Sequence, residues 1–386
     1  MGAKKGKGSA KMPRIIVLGA GRVGRVIARD LAEDNNVEVT MADRRQEVLD
    51  DLKATCGCNT IRENLANPEL VRRIVGEYDL VIGALPGALG FGTLSGIIAA
   101  GKPFIDTSFM PEDPSTLNKT AISSGAKVLY DFGTAPGISN IIAAWSCSKM
   151  KEVKEIRVMA GGLPVVRQRP WEYAAPFSVA DVVEEYVRPA RVKVAGEVRE
   201  YPALSMIERL DVPGIGTLEA FVTDNLRSML KTLDCPNMVA KTLRYPGHAK
   251  RINVLKNAGL LDDSPVHVKG SDVSPKDLVL AKLESTWALK RGMEDFTLLK
   301  VDVEGSDGKV HRWRLFDRSA PHHGFSSVAR TTGFPTAIVA RMFLDGTVDL
   351  QPGVHPPEAL AANDSVIDKM REELKTRGVE FGPEDD

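Results

Sequence analysis

RIIVLGAGRVG, residues 14–24, is the stretch that decides the fold. It begins as a nearly continuous apolar run, typical of a parallel strand covered on both faces. Three glycines follow in the spacing G-x-G-x-x-G, and the residues up to Ala32 have helical spacing. Gly19 permits a tight turn, Gly21 lets a pyrophosphate approach the backbone, and Gly24 lets helix and strand pack closely. Free amides at the helix start would face the phosphate. The motif therefore predicts a dinucleotide site.

The next predicted strand supplies the residue expected to contact the ribose. Residues 37–42 read as a strand that ends at Asp43, nineteen residues after Gly24. An acidic side chain there would accept hydrogen bonds from ribose hydroxyls and repel a 2′-phosphate, which favours NAD. Arg44 and Arg45 follow directly and could attract that phosphate. NAD is the expected cofactor, and NADP stays open.

Length and composition indicate an ordinary globular protein of two domains. The chain has 386 residues, of which 43% are hydrophobic and 26% charged. Its 51 basic and 51 acidic residues cancel, so no net charge draws it to nucleic acid or an anionic membrane. No apolar run approaches the about 18 residues of a membrane span. We expect neither a nucleic-acid partner nor a membrane location.

The cysteines form no metal pattern. Cys56 and Cys58 are two residues apart, too close for a usual zinc knuckle, and Cys147 and Cys235 form no partner pair. The six histidines are scattered as well. We interpret the cysteines as plain thiols of a cytoplasmic protein and predict no metal site.

Strands and helices alternate as far as residue 130, which predicts a doubly wound parallel sheet of Rossmann type. Later, Ala195-Gly196 and Ser306-Asp307-Gly308 are hairpin signals, so a second domain of α+β type is expected. The glycines and proline of residues 161–164 are expected to end a strand. The predicted divisions are a disordered tail (1–12), the Rossmann domain (13–140), a substrate and dimerisation domain (141–324), and a segment returning to the first domain (325–386).

Five segments together resemble the saccharopine dehydrogenase family, in its lysine 6-dehydrogenase branch. They are VLGAG (17–21), GTAPGISN (133–140), GGLP (161–164), TLRYPGH (242–248) and RTTGFP (330–335). The resemblance implies a homodimer and an amino-acid substrate held between the domains. It places substrate contacts at Ala160, Gly161, Thr242, Leu243 and Arg244. The Arg244 guanidinium would hold an α-carboxylate, since its planar fork matches a carboxylate.

One position departs from the saccharopine-forming members of this family. They carry an aspartate before the proline of the loop that matches residues 134–137, and here that residue is Ala135. The difference disfavours a large dicarboxylic adduct and fits a smaller amino acid such as lysine. Four arginines leave the larger substrate open, because they could bind a second carboxylate if they are not surface residues: Arg167, Arg169, Arg188 and Arg191.

Two further sets of candidate residues complete the predicted site. Acid–base chemistry at an amine needs a poised carboxylate, histidine or tyrosine. The catalytic candidates are Asp106, Glu172, Tyr173 and His248. The cofactor candidates are Gly19, Gly21, Arg22, Val23, Gly24, Asp43, Arg44, Leu85, Pro86, Thr107 and Ser108.

Three functions follow from these observations. The first is NAD-dependent oxidative deamination of the lysine ε-amine to allysine, which cyclises to a piperideine carboxylate, with release of ammonia. The second is an NADPH-dependent reductive condensation of the saccharopine or carboxynorspermidine type. The third is a non-catalytic, nucleotide-sensing protein that retains the fold, because a fold alone does not determine function.

Overall fold

The computed structural model describes residues 12–290, 292–319, 322 and 324–384. The predicted disordered tail therefore lies outside the described residues, except for Met12. Within the described ranges, no helix is both long and apolar enough to cross a membrane.

The described residues form eighteen strands and twelve α-helices. The strands are β1 (Arg14–Leu18), β2 (Glu38–Asp43), β3 (Asn59–Arg62), β4 (Leu80–Gly83), β5 (Phe104–Asp106), β6 (Lys127–Leu129), β7 (Val153–Pro164), β8 (Ala190–Val194), β9 (Glu197–Tyr201), β10 (Glu208–Val212), β11 (Gly216–Val222), β12 (Asn237–Arg244), β13 (Val266–Val268), β14 (Ser271–Val273), β15 (Asp295–Gly305), β16 (Val310–Ser319), β17 (Gly353–His355) and β18 (Glu380–Pro383). The helices are α1 (Arg22–Ala32), α2 (Gln46–Cys56), α3 (Pro68–Val75), α4 (Gly87–Ala99), α5 (Asn118–Ser124), α6 (Ile138–Ser148), α7 (Val179–Val187), α8 (Met229–Thr232), α9 (His248–Asn257), α10 (Pro275–Thr286), α11 (Ser327–Leu344) and α12 (Asp364–Thr376).

The first sheet has seven parallel strands in the order β17-β6-β5-β4-β1-β2-β3. Strand β1, between β4 and β2, is covered on both faces, and Ile15, Ile16, Val17 and Leu18 are fully buried. Ile27 and Leu31 of α1 join the core on one face of this sheet. The predicted doubly wound Rossmann-type sheet is confirmed. Since all strands run the same way, their carboxyl ends share one edge, where ligands bind in such folds.

The second sheet is mixed and has nine strands. Seven follow the order β10-β11-β12-β7-β15-β16-β18, and β8 and β9 extend from β12. Only the β7–β12 pair is parallel within it. Both hairpins expected from the sequence are present, as β8–β9 and β15–β16. The predicted second domain of α+β type is confirmed, and its sheet is mixed.

The predicted strand end at residue 161 is wrong. β7 continues through Gly161 and Gly162 to Pro164. This strand is central and is hydrogen-bonded to β12 on one side and to β15 on the other, as far as the pair of Pro164 with Asp295. The pairing with β12 ends at Ala160, so beyond it the pairing with β15 outweighs the weak strand preference of glycine.

The segment after residue 325 contacts both sheets. α11 packs along α1, and β17 extends the parallel sheet beside β6. β18 pairs instead with β16 of the mixed sheet. This segment therefore connects the two sheets.

Candidate functional site

One cavity of about 810 Å3 lies between the two sheets. The carboxyl ends of β1, β2, β4 and β5 border one side, and β7, α7 and β12 border the other. It brings together most of the predicted binding residues. The cofactor candidates that line it are Gly19, Gly21, Arg22, Val23, Asp43, Arg44, Leu85, Pro86, Thr107 and Ser108, and the substrate candidates that line it are Ala160, Gly161, Thr242 and Arg244.

Gly24 is not in the lining, because it serves the packing of α1. A side-chain carbon there would lie 1.9 Å from the Gly19 carbonyl oxygen, so only glycine lets the helix come this close to the turn. A side-chain carbon on Gly21 would meet no atom within 4 Å. Gly21 caps α1 without a side-chain hydrogen bond, and the first turn has no acidic residue. The helix amides therefore face an open space that suits a phosphate.

Asp43 stands at the predicted ribose position but is already hydrogen-bonded. One carboxylate oxygen accepts from the amide of Ala20 at 2.8 Å, and the guanidinium of Arg45 donates to both oxygens at 2.9 Å. Burial acts to raise the pKa of Asp43, but these hydrogen bonds outweigh it and hold the pKa below its ordinary value. Asp43 is thus ionised, and Arg44 and Arg45 line the cavity beside it.

Arg244 ends β12 on the side of the cavity that the second domain forms. Side chains alternate along a strand, so Thr242 and Arg244 face the cavity, while Leu243 is fully buried in the hydrophobic core of the second domain. The Arg244 Nε donates to the hydroxyl of Tyr186 at 3.0 Å, and Nη1 donates to the Leu243 carbonyl at 2.9 Å. The ring of Tyr173 lies 4.5 Å from the guanidinium carbon. These contacts fix the guanidinium in place.

Two acidic residues of α7 also line the cavity, and sequence reasoning missed both. Asp181 and Glu185 are four residues apart, so they share one helix face. Glu185 Oε2 lies 3.5 Å from Arg244 Nη2. Burial raises the pKa of both carboxyls; for Glu185, Arg244 acts in the opposite direction. Their signal in the sequence was an acidic pair at helical spacing among apolar residues.

His248 is not brought to the cavity lining. Its Nδ1 lies 2.8 Å from the Trp171 carbonyl oxygen and its Nε2 3.0 Å from the Tyr186 hydroxyl. Because the carbonyl can only accept, Nδ1 carries the proton, and Tyr186 donates to Nε2. Burial, assisted by Arg244, lowers the pKa of His248 to about 3. The neutral imidazole thus orients Tyr186, which in turn holds Arg244.

The other three catalytic candidates also lie outside the lining. Glu172 is buried and pairs with Arg167 at 2.8 Å. Tyr173 packs on Arg244, and burial raises the pKa of its hydroxyl to about 12. Asp106 is buried behind Ser108, whose hydroxyl donates to it at 2.5 Å, and burial raises the pKa of Asp106 to about 7. Of these candidates, Asp106 is the one that contacts a residue of the lining through its carboxylate.

The four arginines considered for a second carboxylate are also absent from the lining. Arg191 forms a two-pronged ion pair with Asp224. Arg188 lies over the ring of Phe109, 5.1 Å from its centre. Among the described residues, no group of three or more histidine, cysteine or acidic side chains is arranged to hold a metal ion.

Three curated relatives match nearly the whole chain. The mitochondrial alpha-aminoadipic semialdehyde synthase of Bos taurus is 22% identical over 97% of this chain and 47% of its own length, so the chain spans about half of that relative. The NADP(+), L-glutamate-forming saccharopine dehydrogenase of Schizosaccharomyces pombe is 21% identical over 94% of this chain and 97% of its own. The carboxynorspermidine synthase of Vibrio cholerae is 23% identical over 90% and 92%.

Solved structures and family models agree with these matches. The apo saccharopine dehydrogenase (L-Glu forming) of Saccharomyces cerevisiae shares the fold, with a TM-score of 0.77 and 18% identity over 96% of this chain and 99% of that one. The saccharopine dehydrogenase NADP binding domain model matches residues 15–129. The saccharopine dehydrogenase C-terminal domain model matches residues 133–379, which is more than half of the chain. The chain therefore belongs to the saccharopine dehydrogenase family.

Proposed function

We propose that the protein is a nicotinamide-dinucleotide-dependent oxidoreductase that acts on a carbon–nitrogen bond of an amino acid with one carboxylate. Oxidative deamination of the L-lysine ε-amine is the first candidate reaction. The observation that carries this proposal is the grouping of Arg244 with Asp181 and Glu185 at one end of the cavity. The Arg244 cation is complementary to the single carboxylate of a diamino acid, and the carboxylates of Asp181 and Glu185 are complementary to its amines.

The residues at the other end of the cavity fit a dinucleotide. The open turn at Gly21 and the uncapped amides of α1 suit a pyrophosphate. Asp43, with Arg44 and Arg45 beside it, suits the adenosine ribose, and we keep NAD as the first choice and NADP as the second. When bound, the cofactor would supply the hydride acceptor.

The charges beside Arg244 disfavour a substrate with several carboxylates. Asp181 and Glu185 repel a second carboxylate, and Asp131, which also lines the cavity, is already paired with Arg227 at 2.8 Å. Of the other lining arginines, Arg44 and Arg45 stand beside Asp43 at the ribose end. Arg22 donates to the carbonyl of Ala175 at 2.7 Å. Arg244 is therefore the arginine best placed for the substrate carboxylate.

The chain's own residues would then perform three tasks. Arg244 binds the α-carboxylate and fixes the position of the side chain. Glu185, or Asp181 one turn earlier, accepts the proton of the ε-ammonium, so that a neutral amine is present when hydride leaves the adjacent carbon. Water adds to the resulting substrate iminium, and the carbon–nitrogen bond breaks to give an aldehyde and ammonia. A carboxyl with a raised pKa suits this exchange, because its proton affinity is closer to that of an amine.

A second candidate is a reductive condensation that joins an aldehyde to the amine of a diamine. The similarity to the Vibrio cholerae carboxynorspermidine synthase favours it. The carboxylates of Asp181 and Glu185 on α7 would bind the amines of a polyamine as well as those of lysine. The glutamate adduct saccharopine fits less well, because Ala135 lines the cavity without a polar side chain.

The test is a panel of amino acids and polyamines assayed with NAD and NADP, with reduced cofactor and ammonia measured together. We expect L-lysine to give NADH and ammonia in equal amounts, with a rate that rises with pH as the amine loses its proton. Reduced cofactor from saccharopine but none from lysine would overturn the proposal. Reduced cofactor without ammonia would favour the condensation reaction run in reverse.

A further inference from the structure

Two thiols meet at the junction of α2 and β3, outside the cavity lining. Cys56 ends α2, Cys58 immediately precedes β3, and Gly57 separates them. The two sulfur atoms are 3.2 Å apart. Gly57 has φ +69°, a left-handed conformation that glycine adopts readily, and this turn brings the thiols to the same side. A disulfide would need the sulfurs to approach by only about 1.2 Å.

The two thiols differ in exposure and in proton affinity. Cys56 is partly exposed, whereas Cys58 is 4% exposed and belongs to the core with Leu49 and Leu52. The hydrogen bond between the sulfurs lowers the pKa of Cys56 to about 6, with smaller contributions from Arg29 and Arg25 of α1. The same hydrogen bond raises the pKa of Cys58. Cys56 is therefore the more accessible and the more acidic thiol, with its Sγ also 3.1 Å from the Leu52 carbonyl oxygen, and Cys58 is the protected thiol beside it.

Neither of the remaining two cysteines has a lowered pKa, and of the two only Cys147 is partly exposed. Burial raises the pKa of Cys147 to about 12 and also raises that of Cys235. The Cys235 thiol donates to the Asn237 carbonyl at 3.1 Å. Both should react slowly with disulfides, so they serve as internal controls within the same chain.

We propose that Cys56-Gly57-Cys58 is a thiol–disulfide exchange site for a small-molecule disulfide such as glutathione disulfide. The Cys56 thiolate attacks one sulfur of that disulfide, its sulfur–sulfur bond breaks, and one thiolate leaves. Cys58 then attacks the Cys56 sulfur, the second thiolate leaves, and the proton of Cys58 passes to a released thiolate. The two cysteines lose two electrons, and the small disulfide gains them as two thiols.

The site stands at the beginning of a strand that leads to the cavity. β3 starts after Cys58, and at its other end Arg62 pairs with Asp43. The next residue, Glu63, donates its amide to the Asp43 carbonyl at 3.0 Å and lines the cavity. Oxidation of Cys56 and Cys58 to a disulfide would therefore tighten the turn before β3. The other end of β3 lies at the ribose end of the cavity.

The test uses the full chain equilibrated in glutathione buffers of increasing oxidised fraction, then alkylated and digested with trypsin. The tryptic peptide of residues 54–62 contains both cysteines and no other. We expect this peptide to lose two hydrogens, while Cys147 and Cys235 remain open to alkylation after unfolding. The alkylation rate of native Cys56 should reach half its maximum near the pKa of about 6.

Two variants separate the roles of the thiols. In Cys58→Ser, the exchange reaction should stop at a glutathione adduct on Cys56. In Cys56→Ser, Cys58 should remain unmodified. The proposal is overturned if the wild-type peptide stays a dithiol in buffers that modify Cys147 or Cys235. It is also overturned if Cys58→Ser, with an unchanged melting temperature, acquires no adduct on Cys56.

Discussion

Arg244 Nη2 lies 3.5 Å from Glu185 Oε2, and the two side chains are 3% and 15% exposed. The distance exceeds that of a good hydrogen bond, and Glu185 Oε2 has no hydrogen-bond partner among the described residues. Two opposite charges that are largely buried and only loosely paired destabilise the folded protein unless another polar group pairs with them. A diamino acid such as lysine would supply its α-carboxylate to Arg244 and an amine to Glu185.

Replacing Arg244 with lysine should reduce turnover of the amino acid without weakening cofactor binding. Lysine keeps the charge but loses the planar fork, together with the hydrogen bond to Tyr186. Loss of one charged hydrogen bond of about 1.5–3 kcal/mol predicts a decrease in kcat/KM of about 10- to 150-fold. The measurement is steady-state kinetics on lysine, with the Kd of the reduced dinucleotide determined by fluorescence.

Arg199→Lys is the matched control, because Arg199 is exposed on the β8–β9 hairpin and pairs with Glu197. Its kinetics and melting temperature should equal those of the wild type. Unchanged kcat/KM in Arg244→Lys would remove Arg244 from the substrate site.

Replacing Glu185 with glutamine should remove one ionisation from the pH profile. Burial raises the pKa of Glu185, so below that pKa the carboxyl holds a proton and cannot accept one from the substrate. The wild-type kcat/KM should fall as the pH decreases through this range. In Glu185→Gln, kcat/KM should be lower by about 10-fold or more, and this acidic limb should be absent.

The neighbouring Glu184 provides the control for that change. Its carboxylate bonds to Lys276 at the start of α10 and does not line the cavity. Glu184→Gln should keep the wild-type pH profile. If the acidic limb persists in Glu185→Gln, another group is the proton acceptor, and Asp181 is the next to replace.

Asp106 should make the protein less stable as the pH rises. Burial raises its pKa from 3.8 to about 7. Between these values the folded chain holds a proton that the unfolded chain has released, so the free energy of unfolding falls with increasing pH. The contribution is at most about 4 kcal/mol at about 1.4 kcal/mol per pKa unit. Asp106→Asn should flatten this decline in urea unfolding series from pH 5 to 8.

Exposed Asp50→Asn should leave the same decline unchanged, which makes it the control. Burial also raises the pKa of Asp295 to about 7. Asp295 is unchanged in the wild type and in both variants, so part of the decrease in the free energy of unfolding with pH should remain in each. An identical slope in Asp106→Asn and wild type would show that Asp106 is ionised in the folded protein at neutral pH.

The first strand of the parallel sheet and the β15–β16 hairpin of the mixed sheet were predictable because their signals are local. The apolar run before Gly19 and the hairpin turn at Gly308 each determine structure within a few residues. The continuation of β7 through Gly161 was not predictable, since it depends on pairing with β15, which lies far away in sequence. Local preference is weaker than such pairing.

More of the proposed binding residues than of the proposed acid–base residues line the cavity, for a related reason. Backbone positions such as Gly21 are set by the motif itself. The direction of a side chain depends on helix register and packing, which placed Glu185 in the cavity and put His248 behind Tyr186. The interval between β2 and α3 was also unassigned from the sequence, although it contains α2 and β3.

Asp43 provides the last prediction, which concerns the choice of cofactor. Its carboxylate, held by Arg45 and by the Ala20 amide, is ionised at the position expected to receive the ribose hydroxyls. Asp43→Asn removes the charge that repels a 2′-phosphate and frees Arg45, which should then attract one. We expect NADH to bind about 10-fold more weakly and NADPH to bind at least as well as before, by fluorescence titration. Tighter binding of NADPH than of NADH by the wild type would mean that Arg44 and Arg45, rather than Asp43, determine the preference.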